Sequence, residues 1–190
     1  MRDTRELLRS AGLKDAVSYV DDHSHPVLWA LIAEAALETL DFAVAERAVV
    51  RCQEYPAIQF VKRIKALDDP LKQRAEVLAY YHRFDEAEKV YREMDRKDLA
   101  VDLRARLGDW FRVVSLVQEG GGDESLILNA WDNIGDYYAD RQKWSKAIQY
   151  YAQCKQYEKL AHVYYTTEDY RAMEKLIDQV VHNKELLIWM

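Results

Sequence analysis

The sequence predicts an all-α chain, an α-solenoid of irregular helical hairpins, and three observations carry that prediction. Glycine and proline are scarce, at 6 and 3 of 190 residues, well below average usage, which argues against a turn-rich sheet protein and against disorder. No segment shows the period-2 alternation of a half-buried strand bounded by turns. A pattern of large aromatic and small residues recurs along the chain at helical spacing. Apolar residues are 49% and charged residues 32%, the balance of a chain that buries a core.

The elements follow in order. A first helix is expected near 4–20, closed by the polar run Asp21-Asp22-His23-Ser24-His25. Pro26 then sits at the first turn of a helix over 26–39, where its missing N–H costs nothing. Leu40-Asp41 breaks the chain before a helix over 42–53, and further helices are expected over 56–67 and, after Asp68-Asp69-Pro70, over 70–82. Helices over 84–94 and 96–107 come next. Gly108-Asp109 opens one over 109–118, and Gly120-Gly121-Gly122-Asp123 separates it from 124–139. The last three span 143–154, 157–166 and 168–182, with Thr166-Thr167-Glu168-Asp169 as the final turn. Several of these turns place Asp or Thr where a helix N-cap is wanted.

The hairpins repeat. Trp29, Ile32, Ala33, Phe42, Ala45, Cys52 and Tyr55 align with Trp131, Ile134, Gly135, Trp144, Ala147, Cys154 and Tyr157. The second copy, Trp131-x-x-Ile134-Gly135-x-x-Tyr138 followed by Ala147-x-x-x-Tyr151, follows the tetratricopeptide pattern, with Lys159 where that pattern has its late proline. Small residues such as Gly135 and Ala147 belong where two helices approach most closely, and the aromatics fill the gaps one turn away. Phe84, Ala87 and Tyr91 repeat the second-helix half, as do Trp110, Val113 and Val117, and the unequal gaps between copies make the array irregular.

Charge and motifs exclude much chemistry. The net charge is −6 with a pI near 5.4, which gives no footprint for nucleic acid or an anionic membrane surface. No apolar run approaches the ~20 residues of a membrane span, and the charged first 25 residues are no secretory leader. Two cysteines, Cys52 and Cys154, are too few for a disulfide framework and hold positions where the repeat takes a small apolar residue. His23 and His25 lack CxxC or HExxH companions, so the cluster reads as a helix end rather than a metal site. The triple glycine lacks the GK[ST] ending of a phosphate loop. Lys62, Arg63, Lys65, Lys72 and Arg74 read as a solvated helix face. No catalytic residue, metal ligand, cofactor site or small-molecule substrate is predicted.

The remaining signal is aromatic. Eight of the 13 tyrosines lie between Tyr137 and Tyr170, several as adjacent pairs. Neighbours on a helix point about 100° apart, so when one of a pair is core the other is at the rim, and exposed tyrosines make good interface anchors. Tyr138, Tyr151 and Tyr165 are the candidate partner-binding residues, together with Trp189 in the apolar tail Leu186–Met190.

Long runs outside the repeat positions carry a resemblance. His25–Leu37, Ala45-Glu46-Arg47-Ala48, Phe60-Val61-Lys62-Arg63, Phe84–Glu88, Met94–Ala100, Leu107–Val113 and Ile134–Trp144 resemble the helical-repeat region of the WD-repeat subunits of intraflagellar transport complex A, over most of residues 1–182. The resemblance implies that residues 1–190 form a single α-solenoid segment of a longer chain with N-terminal WD40 propellers. It implies a non-catalytic scaffold at the cilium and ciliary base, on the cytoplasmic side, serving retrograde transport and entry of ciliary cargo. The partners it implies are other complex A subunits, the small subunit 43 and the sister WD-repeat subunit 122, with no membrane insertion. The competing expectation is an independent tetratricopeptide adaptor that grips a peptide or chaperone tail in its concave groove.

Overall fold

A computed structural model describes residues 12–180. Among them the chain forms twelve α-helices, and they fall into two compact units that divide between Asp95 and Arg96. In the first unit these are α1 (Leu13–Asp22), α2 (Pro26–Glu38), α3 (Phe42–Cys52), α4 (Tyr55–Lys65), α5 (Pro70–Tyr80) and α6 (Phe84–Glu93). The second holds α7 (Lys97–Arg106), α8 (Trp110–Leu116), α9 (Glu124–Ala139), α10 (Trp144–Gln153), α11 (Tyr157–Thr166) and α12 (Tyr170–Val180). Within each unit neighbouring helices pack on one another, most extensively α2 on α3, α5 on α6 and α9 on α10, so the all-α, tetratricopeptide-like reading holds. The helix expected from residue 4 does not run through Gly12, whose φ of 91° and ψ of 178° lie outside the helical region; a glycine tolerates that conformation, and α1 starts behind it.

In the first unit Trp29, Ile32, Ala36 and Leu37 of α2 meet Ala45, Ala48 and Val49 of α3, with Phe60, Val61 and Ile64 of α4 completing the buried cluster. Trp29 is 1% exposed, and its indole N–H donates to Ser24 Oγ at 3.1 Å, so its one polar atom is satisfied. Gln73 of α5 is buried beside the end of α4 and its side-chain amide donates to the carbonyls of Leu67 (2.6 Å) and Ile64 (3.4 Å), the latter already accepting from Leu67 N–H at 2.9 Å.

The repeat is visible in side-chain chemistry. Tyr91 of α6 donates through its hydroxyl to Glu76 of α5 at 3.0 Å, and Tyr151 of α10 donates to Asp136 of α9 at 2.7 Å. Each tyrosine is nearly fully buried and stands fifteen residues after its acid. Ala75 and Gly135 precede those acids by one residue, as the small residues of the first helices.

The turns between helices share one device. Leu40, His82, Gly108, Gln142, Lys155 and Glu168 all take the left-handed conformation, with φ between 54° and 71°. The residue after each donates its N–H to the carbonyl five residues back, as in Arg83 to Leu78 (2.9 Å) and Asp169 to Tyr164 (2.9 Å). This is the Schellman closure of a helix. Asp41, Asp69, Asp109 and Asp169 then accept from backbone N–H groups of the helices they open, as expected of N-caps. Asp123 makes no such bond, and Thr166 and Thr167 donate back to the carbonyls of their own helix instead. After α8 the helix widens into a π-turn over Val117–Gly121, which Gly120 leaves at φ 93°.

Candidate docking surface

The second unit concentrates aromatic side chains where α8, α9 and α10 come together. Phe111 meets the rings of Tyr137 and Tyr138 edge-on, with centroids 5.9 and 6.0 Å away, and Tyr137 and Tyr138 stand edge to face at 5.4 Å. Tyr138 stacks on Tyr150 of α10 at 5.6 Å and 13°. Phe111 is 45% exposed and Tyr137 42%, so the cluster presents ring surface to solvent. Two cations rest on it: the Arg141 guanidinium lies 3.6 Å above the Tyr137 ring, and Lys146 Nζ lies 5.1 Å from Tyr138. Arranged like this, aromatic faces and cations fit protein contact better than catalysis.

The sequence-predicted residues separate by depth. Tyr138 is half-buried within the cluster. Tyr165 of α11 is 66% exposed, beside half-buried Tyr164. Tyr151 is 3% exposed and belongs to the hairpin core; its ring lies against Gly135, so it does not face solvent and Tyr150 is the outer member of that pair. The reason is helical phase, since Tyr151 follows Ala147 by four residues and Trp144 by seven on one stripe. Trp189 and the apolar tail lie outside the described residues. The repeat pattern does not single out Phe111, because it takes the adjacent Trp110 as the packing residue of that turn.

Beneath the cluster a polar clasp fixes the helices. Lys159 of α11, where the repeat pattern has proline, donates to Asp132 Oδ1 (2.6 Å) and to both carboxylate oxygens of Asp136 (2.8 Å each) on α9. Asp136 also accepts from Tyr151, so one carboxylate joins α9, α10 and α11. Partial burial opposes the charge on Lys159, but its bonds to Asp132 and Asp136 prevail and raise its pKa. Burial, with the Asp136 hydrogen bond behind it, pushes the Tyr151 phenol well above its ordinary value.

Other sequence candidates occupy structural posts. His25 accepts from Val27 N–H at 3.2 Å and caps α2, and His23 stacks on Tyr19 at 4.6 Å. Cys52 and Cys154 are half-buried free thiols directed at the carbonyls of Pro26 and Tyr151, and burial raises both pKa values, which disfavours thiolate reactivity. Arg63 pairs with Glu76 and Lys65 with Glu46, each at 3.1 Å. Among the described residues no three His, Cys, Asp or Glu side chains converge as metal ligands, and no helix is long and apolar enough to cross a membrane.

Comparison with known proteins places these features. A family profile, the IFT80/172/WDR35/WDR19 TPR domain, matches residues 28–163. WD repeat-containing protein 35 of Homo sapiens is 52% identical over 190 residues, and that of Rattus norvegicus 49% over 189. The Mus musculus protein is 47% identical over 189 residues. Each match covers 98% of this chain and 16% of the relative, so the chain spans about a sixth of the length of the curated relatives it matches.

Proposed function

This chain belongs to the IFT80/172/WDR35/WDR19 TPR family, and we propose that it is a non-catalytic scaffold segment of intraflagellar transport complex A. On this reading its two units are consecutive parts of one helical-repeat segment in a longer, propeller-bearing chain. It works at the ciliary base and in the cilium, in retrograde transport and cargo entry, and its partners are other complex A subunits, the small subunit 43 and the sister subunit 122 among them. The observation that carries the reading is the extent of the likeness to WD repeat-containing protein 35, about half the residues over 98% of the chain. The exposed Phe111–Tyr137–Tyr138 cluster supports it, because an open aromatic surface over a rigid, hydrogen-bonded frame is what a docking contact needs.

Tyr138 and Tyr165, with Phe111 and Tyr137 added, are the residues proposed to meet a partner. The test is capture from ciliated-cell lysate on the immobilised chain, read by mass spectrometry. Enrichment of complex A subunits is expected. Enrichment of chaperones or unrelated peptide-bearing proteins without ciliary ones would overturn the scaffold reading in favour of an independent adaptor.

A further inference from the structure

Away from that surface, the first unit carries a cleft of about 290 Å³ between α2, the end of α3, the start of α4 and the end of α5. Its apolar wall comes from α2 through Val27, Ala30 and Leu31, and Tyr80 and Tyr81 stand opposite. The two tyrosine rings meet edge to face at 5.3 Å, and Tyr80 stacks on Phe60 at 3.9 Å, so the aromatic wall is braced from behind. Two carboxylates complete the lining, Glu34 on α2 and Glu54 ahead of α4, and among the described residues no lysine, arginine or histidine lines the cleft. Glu38, further along α2, is neutralised by Arg83 at 2.8 Å. Glu34 and Glu54 have no cation within ion-pair distance among the described residues, and both are exposed.

We propose that this cleft is a docking site for a partner segment that inserts a lysine or arginine, flanked by apolar residues, between the tyrosine wall and the two carboxylates. Three observations select that occupant. Most of the lining is apolar, which favours a segment with aliphatic side chains. The uncompensated charge of the lining is negative, so a cation entering is attracted and a carboxylate is repelled. The walls are tyrosine rings, whose electron-rich faces favour cations over neutral groups. Burial raises the Tyr81 phenol and the Cys52 thiol above their ordinary pKa values, with Glu34 adding to the first and Glu54 to the second. This site does not rest on the adaptor reading, nor on membership of any one assembly.

The test is fluorescence anisotropy with the full 190-residue chain and three labelled probes of equal length. One is a leucine–alanine peptide carrying two central arginines, one has glutamates there, and one has glutamines. The arginine peptide is expected to bind at least tenfold more tightly than either of the others. Glu34→Gln and Glu54→Gln should each weaken it up to about fivefold, the range of a partly exposed ion pair. Ala30→Trp, at an exposed wall position, should fill the cleft and abolish binding while the far-UV spectrum stays unchanged. The proposal is overturned if no probe binds, if the glutamate peptide binds as well, or if arginine-peptide binding survives Ala30→Trp.

Discussion

Replacing Gly135 by alanine tests the hairpin packing where it is tightest. A methyl group there would stand 2.6 Å from Tyr151 Cδ1 and 3.1 Å from its Cζ, where carbon atoms normally sit about 3.5–4.0 Å apart. Roughly 1 Å of separation must therefore be found between α9 and α10. The ring cannot swing aside cheaply, because Tyr151 is 3% exposed and its hydroxyl is held 2.7 Å from Asp136. Overpacking of this kind costs about 1–3 kcal/mol, and a loosened Tyr151–Asp136 bond adds up to about 1 kcal/mol. Alanine returns about 1 kcal/mol of helix propensity relative to glycine. The net expectation is a loss of up to about 3 kcal/mol, or roughly 2–4 °C in Tm for each kcal/mol. Thermal and urea unfolding followed by circular dichroism measure it. In a Tyr151→Leu background the clash is gone, so the same Gly135→Ala change should become neutral or stabilising. An equal loss in both backgrounds, or a higher Tm for Gly135→Ala alone, would refute the packing argument.

Further expectations concern the clasp, the turns and alkaline pH. Lys159→Ala leaves Asp132 and Asp136 facing each other without their cation and should cost about 1–2 kcal/mol, reduced from the buried value by partial exposure; urea denaturation decides. Lys155→Gly, at an exposed left-handed turn residue with φ 57°, should raise stability by about 0.5–1 kcal/mol, whereas Lys155→Ala should not. Tyr151, Tyr81 and Lys159 all hold their protons more tightly in the folded chain. Their contribution is therefore complete below the unfolded values near pH 10 and is lost as pH rises beyond them. Unfolding followed from pH 8 to 12 should show stability falling only above about pH 10, and a flat profile there would contradict the assignment.

Much of this fold was legible because its core positions are chemically distinctive. Trp29, Ala45, Trp131, Gly135 and Ala147 mark helix contacts by size alone, and the turn residues Asp41, Asp69 and Asp109 mark helix starts by their capping oxygens. The left-handed closures were not legible. Only Gly108 announces one, while Leu40, His82, Gln142, Lys155 and Glu168 adopt the same conformation because the two packed helices impose it. The tyrosine pairs show the same limit. Adjacent residues must differ in depth, but choosing Tyr150 over Tyr151 as the outer ring requires the helix phase set by Trp144 and Ala147. The acidic cleft was hidden because Glu34, Glu54 and Tyr81 are far apart in the sequence and meet only in the folded unit.

The measurement closest to the central claim is the affinity of the purified chain for purified complex A subunits, compared with a Phe111→Ala/Tyr137→Ala variant of matched helical content. Both residues are more than two-fifths exposed, so the variant should fold, and the account predicts at least a tenfold loss of binding. Unchanged affinity would remove the aromatic cluster as the docking surface, and no affinity of the wild-type chain for any complex A subunit would contradict the scaffold function itself.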